Sequence, residues 1–318
     1  MIIFGLLPMS GCVQSAHQAT TPATNPVTIP MTNAPARARR PENEPANPKL
    51  PSLFLIGDST VRNGQGDGGG GLWGWGEPIV AFFDQTKINV VNRAVGGLSS
   101  RTYLTGGHWE RVMAMLKPGD FVIMQLGTND GGPLNDNSRA RGTIKGSGDE
   151  SQEIENLLTK QHEVVHTYGW YLRKFITDAK SKGATPIVCS LIPRKTWKDD
   201  KIARASDSYG KWAAEAAKAE SVAFVDLNEI IARKYDELGP EKIDPLYGDP
   251  HTHTSLAGAE LNAACVISGL KGLKKNPLAT CFSEKARGIA PADLSKPAPA
   301  PAKSNGAPTA TTKTPTDE

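Results

Sequence analysis

A serine, a histidine and an aspartate are the residues of this sequence whose types suit nucleophilic catalysis. Ser59 lies in the stretch Gly57-Asp58-Ser59-Thr60, and Asp249 and His253 lie together towards the other end of the chain. A serine hydroxyl becomes a strong nucleophile when an imidazole accepts its proton and a carboxylate orients that imidazole. These residue types therefore predict activated-serine chemistry, in which Asp249 orients the imidazole of His251 or His253 and that imidazole takes the proton from Ser59.

Two further residues are candidates for stabilising an oxyanion. Gly97 belongs to a double glycine, and Asn129 belongs to the stretch Gly127-Thr128-Asn129-Asp130. Glycine lets a backbone N–H approach a reacting oxygen closely, and an asparagine amide donates a similar hydrogen bond, which typically contributes about 3 kcal/mol to the transition state. We expect both to donate to the oxyanion.

Each of these motifs also has a simpler interpretation. Ser59 also fits a helix cap, the double glycine fits a turn, and the chain lacks a Gly-x-Ser-x-Gly elbow around Ser59. His251 and His253 near Asp249 would also suit a zinc site, but the sequence offers no further ligand beside them. We therefore expect neither a metal nor another cofactor.

The elements that must position these residues form an alternating pattern. Five short apolar runs, at residues 53–56, 88–91, 121–126, 187–192 and 223–227, predict strands. Helical patterns are found at residues 75–83, 108–116, 168–180, 207–219 and 255–270. The alternation predicts an α/β fold in which a five-stranded parallel sheet lies between two helical layers.

The candidate residues follow the predicted strands. In an open parallel sheet, ligands bind beyond the carboxyl ends of the strands. Ser59, Gly97 and Asn129 come shortly after the first, second and third apolar runs, so one edge of the sheet would hold all three. The polar stretch at residues 131–163 has the length of a binding loop or a lid.

In their joint order, these motifs resemble the blocks of the SGNH, or GDSL-like, hydrolases. The resemblance implies a flavodoxin-like three-layer fold, adds the backbone N–H of Ser59 to the oxyanion hole, and makes Ser59 the nucleophile and His253 the base. Within that superfamily the chain is similar to rhamnogalacturonan acetylesterases over nearly all of residues 52–272. The stretches that carry this likeness include Gly71-Leu72-Trp73-Gly74-Trp75-Gly76 and His166-Thr167-Tyr168-Gly169-Trp170.

One position departs from the family pattern, which places an aspartate three residues before the catalytic histidine. Pro250 lies three residues before His253, and Asp249 lies four before it. Either the turn holds one extra residue or the orienting carboxylate is weakened or absent.

The resemblance implies a carbohydrate acetylesterase that removes O-acetyl groups from a plant-type polysaccharide such as rhamnogalacturonan, pectin or xylan. Trp73 and Trp75 are candidates for stacking on sugar rings, and Arg101 for binding a uronate. Trp109 and Arg139 are further candidates of the same two kinds. The alternatives are a lipid or acyl-thioester hydrolase on the same scaffold and an inactive surface carbohydrate-binding protein.

Composition sets the expected domain limits and partners. Residues 1–12 resemble an export signal ending at a lipidated Cys12, residues 13–50 a disordered tether, residues 51–282 the catalytic domain and residues 283–318 a disordered tail. We expect an extracytoplasmic protein, secreted or tethered to a membrane through Cys12. A net charge of +3 without a basic block argues against a nucleic-acid partner. A disulfide between Cys265 and Cys281 is left open.

Overall fold

The computed structural model describes residues 44–62 and 68–297. In this part of the chain a parallel sheet of five strands, in the order β2-β1-β3-β6-β9, forms the centre of the fold. The strands in chain order are β1 Ser52–Gly57, β2 Asn89–Asn92, β3 Phe121–Gln125, β4 Ser151–Glu155, β5 His162–His166, β6 Thr185–Cys189, β7 Trp197–Lys198, β8 Lys201–Ile202 and β9 Ala223–Val225. Strands β4 and β5 form one antiparallel hairpin, and β7 and β8 form another.

Helices flank the strands of the central sheet: the first four lie between its strands, and the other four follow its last strand, β9. In chain order they are α1 Ser100–Thr105, α2 His108–Met113, α3 Tyr168–Ser181, α4 Tyr209–Ala219, α5 Leu227–Leu238, α6 Pro240–Ile243, α7 Leu256–Gly272 and α8 Glu284–Arg287. The side chains of Thr167 and Ser255 cap the first turns of α3 and α7 by accepting backbone hydrogen bonds. Each such cap typically stabilises its helix by about 1 kcal/mol.

Both faces of the central sheet are buried, which confirms the predicted three-layer α/β architecture. Leu53 and Leu55 of β1 pack in the cluster that α5 and α7 cover, whereas Phe54 and Ile56 pack in the cluster covered by α2, α3 and α4. This alternation follows from the period of two in a strand. Each of the five apolar runs of the sequence overlaps one strand of the sheet, and each supplies residues to both clusters.

The structure differs from the sequence prediction in its shorter elements. The helix expected at residues 75–83 is only a 3₁₀ helix, Pro78–Phe82. The stretch at 131–163, expected as a loop, contains β4 and the start of β5. Helices α1, α5, α6 and α8 were not predicted.

The folded part of the chain extends past both predicted limits. The Asn47 N–H donates to the side chain of Asn89, so residues before 51 are packed on β2. Ala286 is fully buried, and the Ala292 N–H donates to the Ser268 carbonyl of α7. The prediction therefore placed the start of the disordered tail too early in the chain, because composition alone does not reveal these few anchoring contacts. The remaining tail from 298, the tether up to 43 and Cys12 lie outside the described residues.

The described residues also bear on the cysteines and on membrane insertion. Cys265 and Cys281 are both buried free thiols, so the structure contains no disulfide between them. Burial raises the pKa of the Cys265 thiol to about 12, which keeps it protonated. In the described ranges, no helix is both long enough and apolar enough to cross a bilayer.

Candidate active site

The predicted catalytic residues meet at one edge of the central sheet. Ser59 lies two residues beyond the end of β1, Gly97 follows β2, and Asn129 follows β3. The stretch with Asp249 and His253 immediately precedes α7. Because the strands are parallel, their carboxyl ends bring these separate segments together.

Ser59 and His253 are in direct contact. The Ser59 hydroxyl lies 2.7 Å from Nε2 of His253, within hydrogen-bonding distance. Both side chains are partly exposed, so a substrate can reach them from solvent. This geometry lets the imidazole accept the hydroxyl proton as the oxygen attacks.

Asp249 reaches His253 despite its unusual spacing. Its Oδ2 lies 2.5 Å from the other ring nitrogen, Nδ1, of His253. Its Oδ1 accepts the backbone N–H groups of His251, Thr252 and His253, at 2.7 to 3.0 Å. One carboxylate thus closes the turn and holds the ring, and the turn accommodates the extra residue that the sequence introduced.

The same hydrogen bonds keep Asp249 ionised. Partial burial acts to raise the pKa of its carboxyl, but the bonds from Thr252 and from the ring and N–H of His253 outweigh burial. The pKa of Asp249 therefore lies well below its usual range. An ionised acceptor at Nδ1 requires the proton of a neutral imidazole to be on Nδ1, which leaves Nε2 free to accept from Ser59.

Three donors near Ser59 are candidates for an oxyanion hole. In the described part of the chain, the N–H groups of Ser59 and Gly97 donate to no other residue. The Nδ2 of Asn129 donates one hydrogen to the Leu98 carbonyl at 2.9 Å, which fixes the amide beside the glycine loop and leaves its second hydrogen available.

Two glycines allow this arrangement. Gly97 has φ 81°, a left-handed conformation that favours glycine. A Cβ at Gly57 would lie 2.4 Å from Val61 and 2.6 Å from the Gln125 carbonyl, so only glycine fits where the Ser59 turn packs on β3.

Two buried carboxyl groups lie beneath the site. Asp58 accepts from the N–H and hydroxyl of Thr60, which shapes the turn that carries Ser59. Asp130 accepts from the N–H and hydroxyl of Ser100, which ties the Asn129 loop to the start of α1. Burial raises the pKa of Asp130 to about 7, with a further contribution from nearby Asp58, whose own pKa burial also raises.

Two of the predicted sugar-binding residues are structural instead. Trp75 is fully buried and donates from its indole to Gln125 at 2.9 Å, so it offers no face to a sugar. Arg101 is also fully buried, and its guanidinium pairs with Glu163. These two predictions were wrong, because the partners that bury the side chains are distant in sequence.

Trp73 remains at the surface of the site. It is partly exposed, and its backbone pairs with Thr254, the residue after His253. The two further candidates differ from each other: Trp109 is buried and donates to Asp178, whereas Arg139 is exposed.

Sequence reasoning missed two arginines beside the site. Arg141 donates to the Gly97 carbonyl at 2.6 Å, and Arg194 donates to the Thr128 carbonyl at 3.3 Å. A signal for Arg194 was present, because it follows the fourth apolar run as the other candidates follow theirs. Arg141 lies in the stretch expected to form a binding loop.

The histidine pair does not form a metal centre in the described residues. No group of three or more His, Cys, Asp or Glu side chains there is arranged to hold a metal ion. His251 is exposed and its ring contacts the Thr252 hydroxyl.

Comparison with known proteins identifies relatives that are similar in sequence over about 70% of this chain. A rhamnogalacturonan acetylesterase of Emericella nidulans is 30% identical over 225 residues, which cover 69% of this chain and 86% of that protein. A probable rhamnogalacturonan acetylesterase of Bacillus subtilis, YesY, is 27% identical over 227 residues, which cover 70% of this chain and 93% of the relative.

A solved structure and a family model agree with these relatives. The crystal structure of the Bacillus subtilis protein YxiM has a TM-score of 0.56 and 24% identity, and the match covers 70% of this chain but only 56% of that one. That likeness is one of fold. The model of the GDSL-like lipase/acylhydrolase family matches residues 55–261, which include Ser59, Gly97, Asn129, Asp249 and His253. The chain therefore belongs to the GDSL-like lipase/acylhydrolase family.

Proposed function

We propose that this protein is a serine esterase that removes O-acetyl groups from a plant-type polysaccharide. The observation that carries the proposal is the continuous hydrogen-bonded row of Ser59 Oγ, the His253 ring and the Asp249 carboxylate. Beside this row lie N–H groups of Ser59 and Gly97 that donate to no other described residue. A nucleophile, a base and a preorganised oxyanion hole are what acyl transfer requires.

In the proposed first step, His253 Nε2 takes the Ser59 proton while Oγ forms a bond to the acetyl carbonyl carbon. The carbonyl oxygen gains negative charge and accepts hydrogen bonds from the N–H groups of Ser59 and Gly97 and from Asn129 Nδ2. The intermediate then collapses, the bond to the sugar oxygen breaks, and that oxygen takes the proton from His253.

The second step returns the enzyme to its starting state. Water gives a proton to His253 Nε2 and attacks the acetyl carbon on Ser59 through the same oxyanion. Acetate leaves, and the Ser59 oxygen recovers its proton from His253. Water and an acetyl ester are thus converted into a free sugar hydroxyl and acetic acid, which releases its proton to solvent and becomes acetate, and Asp249 stabilises the imidazolium in both steps.

The polysaccharide substrate is supported by the relatives and by the surface. Two relatives carry the name rhamnogalacturonan acetylesterase, and Trp73 offers a partly exposed aromatic ring beside the catalytic turn. Aromatic faces pack well on apolar faces of bound molecules. A polymer of this kind cannot enter a cell, so the proposal places the enzyme outside the cytoplasm.

The test is acetate release from acetylated pectin and acetylated xylan by the wild type and by Ser59→Ala. We expect release by the wild type and at least a 10³-fold loss in the variant, since the hydroxyl forms the covalent intermediate. Equal activity of Ser59→Ala and wild type would overturn the serine mechanism. A long-chain p-nitrophenyl ester that is hydrolysed faster than either polymer would point to a lipid hydrolase instead.

A further inference from the structure

Arg141 borders the site on the side of the oxyanion loop. Its Nη1 donates to the Gly97 carbonyl at 2.6 Å, and its Cγ would lie 3.8 Å from a Cβ placed on Gly132. A Cβ on the neighbouring Gly96 would lie 3.5 Å from the Ser59 Cβ. The guanidinium thus lies one peptide unit from the glycine that contacts the nucleophile.

Arg194 borders the site on the other side. Its Nη2 donates to the Thr128 carbonyl at 3.3 Å, next to Asn129. The N–H of the following residue, Lys195, donates to the His251 carbonyl at 2.9 Å. Arg194 is therefore placed between the Asn129 loop and the histidine turn.

The loop that carries Asn129 lies next to both arginines. Thr128 receives the hydrogen bond from Arg194, and Gly132, which packs near Arg141, donates its N–H to the Asn129 carbonyl. Both cationic side chains thus lie close to the loop that carries Asn129. A sugar whose acetyl group enters the oxyanion hole would lie near both arginines.

Neither arginine is neutralised by a carboxylate. Among the described residues, no Asp or Glu oxygen lies within ion-pair distance of Arg141 or Arg194, whereas the buried Arg101 pairs with Glu163. Asp249 is engaged with His253. Each guanidinium has five N–H donors, and the structure uses one donor of each, for a backbone carbonyl.

We propose that Arg141 and Arg194 bind carboxylate groups of the polysaccharide, so that the enzyme selects an acidic, uronate-containing backbone over a neutral one. This inference rests on the proposed esterase function and extends it to the choice of substrate. A planar guanidinium matches a carboxylate with two parallel hydrogen bonds, which a neutral xylose unit has no group to accept.

The exposure of the arginines sets the size of the effect, since Arg141 is partly exposed and Arg194 is exposed. A hydrogen bond between charged groups is typically worth about 1.5–3 kcal/mol, or roughly 10- to 150-fold in affinity, and exposure to solvent places these contacts at the lower end. We expect a preference of about 10-fold per arginine.

The first experiment compares one acetylated galacturonate oligosaccharide with its methyl-esterified form, which keeps the acetyl groups and removes the charge. For the wild type we expect kcat/KM to be at least 10-fold higher for the free acid, mainly through KM. For Arg141→Gln combined with Arg194→Gln, we expect the two substrates to be used about equally. The matched control is Arg287→Gln, an exposed arginine on α8, which should keep the wild-type ratio.

A second experiment measures binding without turnover. Calorimetry measures the affinity of Ser59→Ala for deacetylated galacturonate oligosaccharides. The same titration is then done with a variant that carries Ser59→Ala, Arg141→Gln and Arg194→Gln together. Affinity should fall about 10-fold or more with the substitutions and should also fall as salt is raised.

The outcomes separate this inference from the proposed function. Equal kcat/KM for the free acid and the methyl ester in the wild type, with acetate released from both, would overturn the role of the arginines and leave the esterase standing. Absence of hydrolysis of every ester would remove the proposed function and this inference with it. A preference for the free acid that survives both substitutions would place carboxylate recognition elsewhere.

Discussion

Replacement of Asp249 by asparagine tests how the turn before α7 supports catalysis. Asparagine keeps the oxygen that accepts the N–H groups of His251, Thr252 and His253, so the turn should survive. The second oxygen, now 2.5 Å from Nδ1 of His253, becomes an NH₂ group. Because NH₂ donates, it favours the tautomer with the proton on Nε2, which cannot accept from Ser59.

The expected fall in kcat for Asp249→Asn follows from this exchange of one carboxylate oxygen for an NH₂ group. A histidine locked in the wrong tautomer typically lowers kcat by about 10⁴, which corresponds to about 5.4 kcal/mol of transition-state stabilisation. The three hydrogen bonds of the turn are retained, so the melting temperature should shift by less than about 2 °C. We therefore expect a 10³- to 10⁴-fold fall in kcat with little change in KM.

The assay is steady-state hydrolysis of p-nitrophenyl acetate together with thermal unfolding. Asp136 provides a matched control, because its Oδ1 also accepts three backbone N–H groups, those of Ser138, Arg139 and Ala140, but contacts no histidine. Asp136→Asn should retain wild-type kcat.

A kcat for Asp249→Asn within 10-fold of the wild type would contradict this role of Asp249. The carboxylate would then be unnecessary for setting the tautomer of His253, and the contact seen at Nδ1 would serve the turn alone.

Two further predictions concern the neighbouring loop. Asn129→Ala should lower kcat by 10²- to 10³-fold, about 2.7–4 kcal/mol, with KM nearly unchanged, because the oxyanion of the transition state loses a donor that the bound ester does not need; steady-state kinetics check this, and a rise in KM alone would contradict it. Asp130 has a folded-state pKa of about 7, above the 3.8 of an unperturbed aspartate, so the folded protein retains a proton between these values that the unfolded chain releases. The free energy of unfolding should therefore fall as pH rises through that window, by up to about 1.4 kcal/mol per unit, and urea unfolding of Asp130→Asn should lack this slope.

The sheet was predictable because its strands are short runs with both faces buried. The run at 121–126 corresponds to β3, Phe121–Gln125, and the helical pattern at 168–180 corresponds to α3, Tyr168–Ser181. In both, hydrophobic periodicity and burial agree. The residues at the strand ends could be placed at one edge on topology alone.

Helix α5 was not predicted because it follows β9 almost directly. Strand β9 ends at Val225, Asp226 caps the next helix, and Leu227 already belongs to α5. A single polar residue thus separates two apolar elements, so the run at 223–227 appears as one strand. The helix expected at 75–83 is limited to a 3₁₀ turn that begins at Pro78, in a segment that also contains Gly74 and Gly76.

The roles of individual polar side chains were less predictable than the fold. Whether Arg101 meets a substrate or Glu163 depends on a contact across 62 positions, which no local pattern encodes. For Asp249, the spacing in the sequence suggested a weakened contact with His253, whereas in the structure the turn accommodates the extra residue and the contact forms. Both cases depend on loop geometry, in which hydrogen bonds, and not hydrophobic periodicity, determine the partner of a polar side chain.

The bond between Ser59 and His253 joins positions 194 apart in the chain. Contacts of such long range form late in folding, because the entropy of closing a large loop must be overcome first. During synthesis from the amino terminus, the nucleophile exists long before the segment that brings its base. The protein can therefore hydrolyse an ester only after α7 has docked and His253 is in place. In a chain whose folding stops earlier, the hydroxyl of Ser59 is not activated.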